Sequence, residues 1–210
     1  MNQCKSMPPR RAVAGFLGRF ALVYGLLIFP WPGWNGFYGR GFRALGRTVF
    51  AENSGRRILR FEPAPDTLRP LDTAIALANR EQLDALGSGP VRTLGLDTRG
   101  VGWVPTALLL ALILATPVSW RRRGRALIWG LICLYVFILF SVGIYIWNES
   151  AQLSLVGFSP FWKAIADGLE ETLITQMGAS FVAPVLIWIL VTFRREDILA
   201  WAGDGNPAPD

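Results

Sequence analysis

Four stretches of the chain are apolar over about the twenty residues a helix needs to cross the hydrocarbon core of a bilayer. They are 12–31, 101–120, 126–147 and 172–193. The third carries no charge. The first holds Arg19 toward its basic end, where a long side chain snorkels to the headgroups; an arginine aimed at a lipid or a partner helix is the functional reading of the same residue. The second has Pro105 in its first turns, where proline is tolerated, and Pro117 near its end, where proline terminates a helix. Gln176 and Pro184 interrupt the fourth. Trp31, Trp103, Trp120, Trp129, Trp147 and Trp188 fall at or near the span ends, as interfacial belts require. The pattern predicts a mainly α, integral membrane protein with four transmembrane helices.

Residues 32–100, between the first two spans, read differently. Phe42, Leu45 and Val49 recur at helical spacing beside Arg40, Arg43 and Arg47, which predicts an amphipathic helix at the membrane interface. Three short alternating runs follow. "RILRFEP" alternates Leu59 and Phe61 with Arg60 and Glu62. "DTAIALANR" places Ile75 and Leu77 in alternation with small residues. "PVRTLGLDTR" repeats Leu94 and Leu96. Prolines 63, 65 and 70 and then "GSGP" separate them. The spacing predicts a three-stranded antiparallel meander inside a small extracytoplasmic α+β insertion. That piece is too small for a core of its own. It packs on the membrane face, on the preceding helix or on a partner; an open strand edge is a natural seat for a partner's strand, and a self-contained cap is the alternative.

Charge sets the orientation. Arg121, Arg122, Arg123 and Arg125 lie in the short connection 121–125, read as a hairpin loop, and short basic loops stay cytoplasmic. The N-terminal tail 1–11 with Lys5, Arg10 and Arg11, and the C-terminal tail 194–210 with Arg194 and Arg195, then fall on the same side. The connection 148–171 sets Lys163 against Glu149, Asp167, Glu170 and Glu171 and falls outside. Arg40, Arg43 and Arg47 run against this rule, which is weak for a long loop. The first span has basic residues before it, but "FPWPGW" lacks the small residues of a cleavage site, so a retained anchor is expected.

Composition agrees with a membrane protein: 52% of the 210 residues are hydrophobic and 17% charged, against roughly 25% charged in soluble domains. The formal charge is +6. The basic residues flank apolar runs, so lipid headgroups are the expected partner and nucleic acid is not, with no stacking platform or groove-reading motif beside them. The chain has no histidine, which removes the usual general base and nucleophile activator and the His-rich zinc or haem sites. Cys4 and Cys133 are not expected to meet, and Cys133 reads as a packing residue. No cofactor or metal site is expected.

Several polar residues invite a chemical reading. Glu170 and Glu171 precede the fourth span as the paired glutamates of some intramembrane proteases do. Those also use histidine, and carboxylates at a helix N-terminus are favoured by its dipole. Thr175 and Gln176 are expected to bond a neighbouring helix. Asp97 and Arg99 stand two residues apart in what reads as the end of a strand, so a salt bridge fixing the junction with the second span is expected. Gly15, Gly18 and Gly25 offer close helix approach in the first span. No phosphate loop, nucleophile elbow or dinucleotide fingerprint is present.

The run "LGLDTRGVGWVPTALLLALILATPVSWRRRGRAL", residues 94–127, resembles the corresponding junction of small multipass proteins encoded beside bacterial exosortases, and the order of anchor, outer β-containing loop and three further spans is similar. The resemblance implies an accessory role in protein sorting or envelope export at the inner membrane, with an exosortase or export component as partner. It carries over no catalytic residue. A non-enzymatic accessory protein is thus the expectation; a small oligomeric transporter or channel subunit is the alternative. Partner identity and oligomeric state stay open.

Overall fold

The computed structural model describes residues 9–50, 57–65, 67, 71–79, 91–152, 168 and 178–193. The protein is mostly helical with one small antiparallel sheet of three strands. In chain order the elements are α1 (Pro9–Ile28), α2 (Trp34–Phe50), β1 (Arg57–Pro63), β2 (Thr73–Asn79), β3 (Val91–Leu96), a π-helical turn (Arg99–Trp103), α3 (Val104–Ala115), α4 (Trp120–Gln152) and α5 (Gly178–Thr192). They form two compact units. Among the described residues one helix, Trp120–Ser150, is long and apolar enough to cross a membrane. Val13–Ile28, Arg99–Ala115 and Phe181–Thr192 are shorter apolar helices.

The mixed unit comprises Pro30–Pro105 with Tyr135–Phe181. Its first turn is written in "WPGW". Pro32 presets the first corner of a reverse turn and Gly33, at φ 80°, supplies the second, and the Trp34 N–H donates back to the Trp31 carbonyl at 3.1 Å. This is the type II pattern, and it ends α1 and starts α2. The strands pair in the order β1-β2-β3, as the alternation predicts. Phe61 pairs with Ile75 and Ile75 with Leu94, so the largest apolar side chains share one face. Phe61, Ile75, Leu77, Leu94 and Leu96 are all buried.

The helix α2 covers that sheet with a face only partly the predicted one: Phe42 is buried as expected and Leu45 half-buried. Val49 is exposed, and the buried positions are Gly39, Phe42 and Gly46. A methyl group on Gly46 would sit 2.7 Å from the Phe61 ring. Glycine there lets the backbone of α2 come down onto an aromatic side chain. Arg43 and Arg47 are turned toward the strands rather than to headgroups. Arg43 donates to the Asp72 carbonyl and to the Thr73 hydroxyl, both at 3.2 Å. Arg47 donates to the Phe61 carbonyl from Nε at 3.0 Å and from Nη2 at 2.6 Å. A long cationic side chain serves a sheet margin well because it adds a charged donor to backbone carbonyls there.

The helical unit comprises Met1–Phe29, Thr106–Leu134 and Val182–Asp210. Its core is α3, where Ala107, Leu109, Ala111, Ile113 and Ala115 are completely buried. The alanines repeat every four residues, which lets neighbouring backbones approach. The close approach falls at Gly130 of α4, where an added methyl would meet Ile113 at 3.2 Å, Leu109 at 3.4 Å and Val191 at 3.6 Å. It does not fall at Gly15, Gly18 or Gly25, which face open space. The helix α1 instead meets α5 through aromatic side chains: Phe16 stacks on Trp188 at 6.1 Å, with Phe20 and Tyr24 continuing the row.

Two predicted boundaries are corrected. The arginines at 121–125 are not a loop. The turn is 116–119, and α4 begins at Trp120. Proline 117 stops α3, but arginine is a good helix former and continues the next helix with no need of a loop. The same helix runs past Trp147 to Gln152, and Asn148, Glu149 and Ser150 are buried in the mixed unit instead of opening a loop. Cys133 is also exposed, not packed inside.

Candidate functional site

The turn between α3 and α4 gathers the polar contacts of the helical unit around Thr116. Its hydroxyl donates to the Leu112 carbonyl at 2.6 Å, closing the last turn of α3, and accepts the Trp188 indole N–H at 2.9 Å. Its carbonyl accepts from Arg123 at 2.9 Å. Arg123 also lies over the Trp120 ring, 4.6 Å from its centroid, a cation–π arrangement. Arg122 donates to the Thr192 carbonyl at the end of α5, at 2.8 Å. The basic cluster therefore ties α4 to the C-terminal ends of α3 and α5, where carbonyls lack helical partners and the dipole favours cations. Arg121 and Arg125 are exposed.

Beside this cluster lies a groove of about 510 Å³. Val13, Phe16, Pro117, Val118, Trp188 and Phe193 give it carbon walls, with Thr116, Arg122 and Thr192 as its polar members. Thr192 is 1% exposed, and its hydroxyl has no hydrogen-bond partner among the described residues. Arg19 is exposed on α1, consistent with either reading of it.

In the mixed unit the junction of β3 with α3 is held by two aspartates. The strand ends at Leu96, so Asp97 and Arg99 are not strand neighbours. The Asp97 carboxylate accepts the backbone N–H of Arg99 and of Gly100, both at 3.1 Å, as an N-cap does. Its link to Arg99 therefore runs through the backbone. Asp72, which the strand pattern does not single out, accepts the Thr98 N–H at 2.9 Å and the Thr98 hydroxyl. Arg92 meets Glu149 of α4 at 2.9 Å. An aromatic group completes this unit: Trp103 packs edge-on against Trp34 at 5.0 Å and Tyr38 at 5.5 Å. The Tyr38 and Tyr135 hydroxyls stand 3.4 Å apart beside a cavity of about 170 Å³.

Glu170, Glu171, Thr175, Gln176, Lys163, Asp167, Cys4, Lys5, Arg194 and Arg195 lie outside the described residues. Sequence reasoning missed Asp72, Thr116 and Thr192. Each is a single polar residue at the end of an element, a position that signals a cap but not its distant partner. No family model, curated protein or solved structure matches the chain.

Proposed function

We propose that the chain is a four-span protein of the bacterial cytoplasmic membrane, with both termini cytoplasmic and residues 32–100 on the outer side. One observation carries this reading: the helices leave apolar rows uncovered. On α4, Ile128, Ile132, Val136 and Phe140 recur every fourth residue, and all are exposed. On α1 the row is Val13, Leu17, Leu22 and Leu26; on α5 it is Val182, Leu186 and Leu190. Water does not tolerate apolar surface on this scale, and hydrocarbon does. Of the shorter apolar helices, Val13–Ile28 and Arg99–Ala115 approach the length of a span, and Phe181–Thr192 falls short of it. Arg99–Ala115 rises roughly 25 Å at about 1.5 Å per residue, close to the thickness of the core. Engagement of Arg43 and Arg47 by the sheet answers two of the three arginines that run against the orientation; Arg40 stays exposed. Arg43 and Arg47 bond protein carbonyls and need no inner-leaflet headgroups.

On this membrane the chain acts as a non-enzymatic accessory protein, and its role is to support an exosortase-type sorting or envelope-export system. The resemblance over residues 94–127 supports that pathway. The build of the mixed unit supports a docking role. It is a small sheet, sealed on one face by α2 and pinned to the following helix by Asp72 and Asp97. A transporter would gather polar side chains around one cavity within its spans; the described groove has carbon walls.

The test is to recover the tagged protein from its host in gentle detergent and identify what accompanies it by mass spectrometry. A membrane transpeptidase of the exosortase type, or an export component, is expected. Recovery of the chain alone as a homo-oligomer would sink the accessory reading in favour of a self-assembling pore.

A further inference from the structure

We infer that the groove at the α3–α4 turn seats an acyl chain of an anionic phospholipid whose phosphate is held by the arginines of the first turns of α4. The inference rests on the membrane reading above. The groove is amphiphilic in a definite order. Its carbon walls come from Val13, Phe16, Pro117, Val118 and Trp188; of its polar members, Thr116 is bonded to Leu112 and Trp188, and Arg122 and Thr192 are joined by the bond from the guanidinium to the Thr192 carbonyl. The Thr192 hydroxyl is buried and has no partner among the described residues. A buried hydroxyl normally finds one, and an ester or phosphate oxygen at this end of the groove would supply it.

Charge selects the headgroup. Arg121, Arg122, Arg123 and Arg125 lie together in the first turns of α4, and Arg122 lines the groove. Arg121 and Arg125 are exposed on the same turns of α4, and Arg123 is held by its stack on Trp120. Clustered arginines beside a span bind anionic headgroups, and the guanidinium fork matches a phosphate. A free phosphate would meet this charge but leave the carbon walls unused. A neutral lipid would fill the walls but offer the arginines no net negative charge.

The test reconstitutes the full chain in nanodiscs of phosphatidylcholine mixed with phosphatidylglycerol and reads retained lipid by native mass spectrometry. Phosphatidylglycerol is expected to be retained about tenfold above its share of the bilayer, the preference a single well-placed charged contact gives. Arg122→Gln should lower that enrichment severalfold. Val118→Trp, which fills the groove and keeps every arginine, should abolish it. Equal retention of the two lipids by the wild-type chain would overturn the inference whatever the variants do. Displacement by glycerol phosphate would overturn it too, because the headgroup alone would then suffice. Retention that appears only after residues 194–210 are removed would show that the chain's own C-terminal segment fills the groove. Release of the protein from membranes by alkaline carbonate would overturn the membrane reading itself. A chain that stays in the membrane without lipid preference would overturn this inference alone.

Discussion

The guanidinium of Arg47 grips the carbonyl of Phe61 from two nitrogens, at 3.0 and 2.6 Å, while the ring of Phe61 lies under Gly46 one residue earlier on the same helix. One residue of β1 is thus held by its backbone and its side chain at once. Replacing Arg47 with Ala should lower stability by roughly 1–2 kcal/mol, as loss of charged hydrogen bonds at a partly open site does. Arg47→Lys should restore only part, because an ammonium lacks the fork. A thermal melt in mild detergent reads both. Equal stability of wild type and Arg47→Ala would show that the contact contributes nothing.

Two glycines of α2 give a matched comparison. At Gly46 an added methyl meets the Phe61 ring at 2.7–2.9 Å; at Gly41 it meets nothing within 4 Å. Gly46→Ala is expected to cost about 1–3 kcal/mol through overpacking. Gly41→Ala is expected to be neutral or to gain up to about 1 kcal/mol from helix propensity. The same melts decide it, and the reverse order would mean that α2 does not lie on β1 in this register.

Arg92 and Glu149 form an ion pair at 2.9 Å between β3 and the last turns of α4. The arginine side chain is 42% exposed and the glutamate 10%, so solvent screens the pair from one side. A double-mutant cycle of Arg92→Ala and Glu149→Ala should yield a coupling of about 0.5–1 kcal/mol. Strictly additive losses would detach Glu149 from the sheet and favour its placement in a loop.

Cys133 lies exposed on α4 beside Ile132, within the apolar row. In a Cys4→Ser background it should resist a water-borne maleimide in intact and in opened membranes alike. It should react once the protein is denatured, because thiolate formation and reagent access both need water. Prompt labelling in opened membranes would place this face of α4 in water and remove the main support for the membrane reading.

Much of this molecule follows from local pattern. Period-two alternation in "RILRFEP" and "TAIALAN" requires strands, and the short spacings between them require a meander. Uninterrupted apolar residues from Ala126 onward require a helix. Prolines 30 and 32 and Gly33 require a turn, because proline cannot continue α1 and a φ of 80° suits glycine alone. These preferences act within a few residues and need no partner, so they can be read from a single chain.

What the tertiary structure alone decided is which partner each polar group takes. Nothing near Arg43 or Arg47 in sequence says that they turn to strand carbonyls at Asp72 and Phe61 and not to headgroups. Nothing near Glu149 says that Arg92 waits for it and that the helix therefore extends through a polar stretch. Gly15, Gly18 and Gly25 look no different from Gly130, yet only Gly130 has neighbouring side chains close by. Helix and strand are decided by the chain's own neighbours; the burial of a charge or the use of a glycine is decided by atoms tens of residues away, whose positions exist only once the chain has folded.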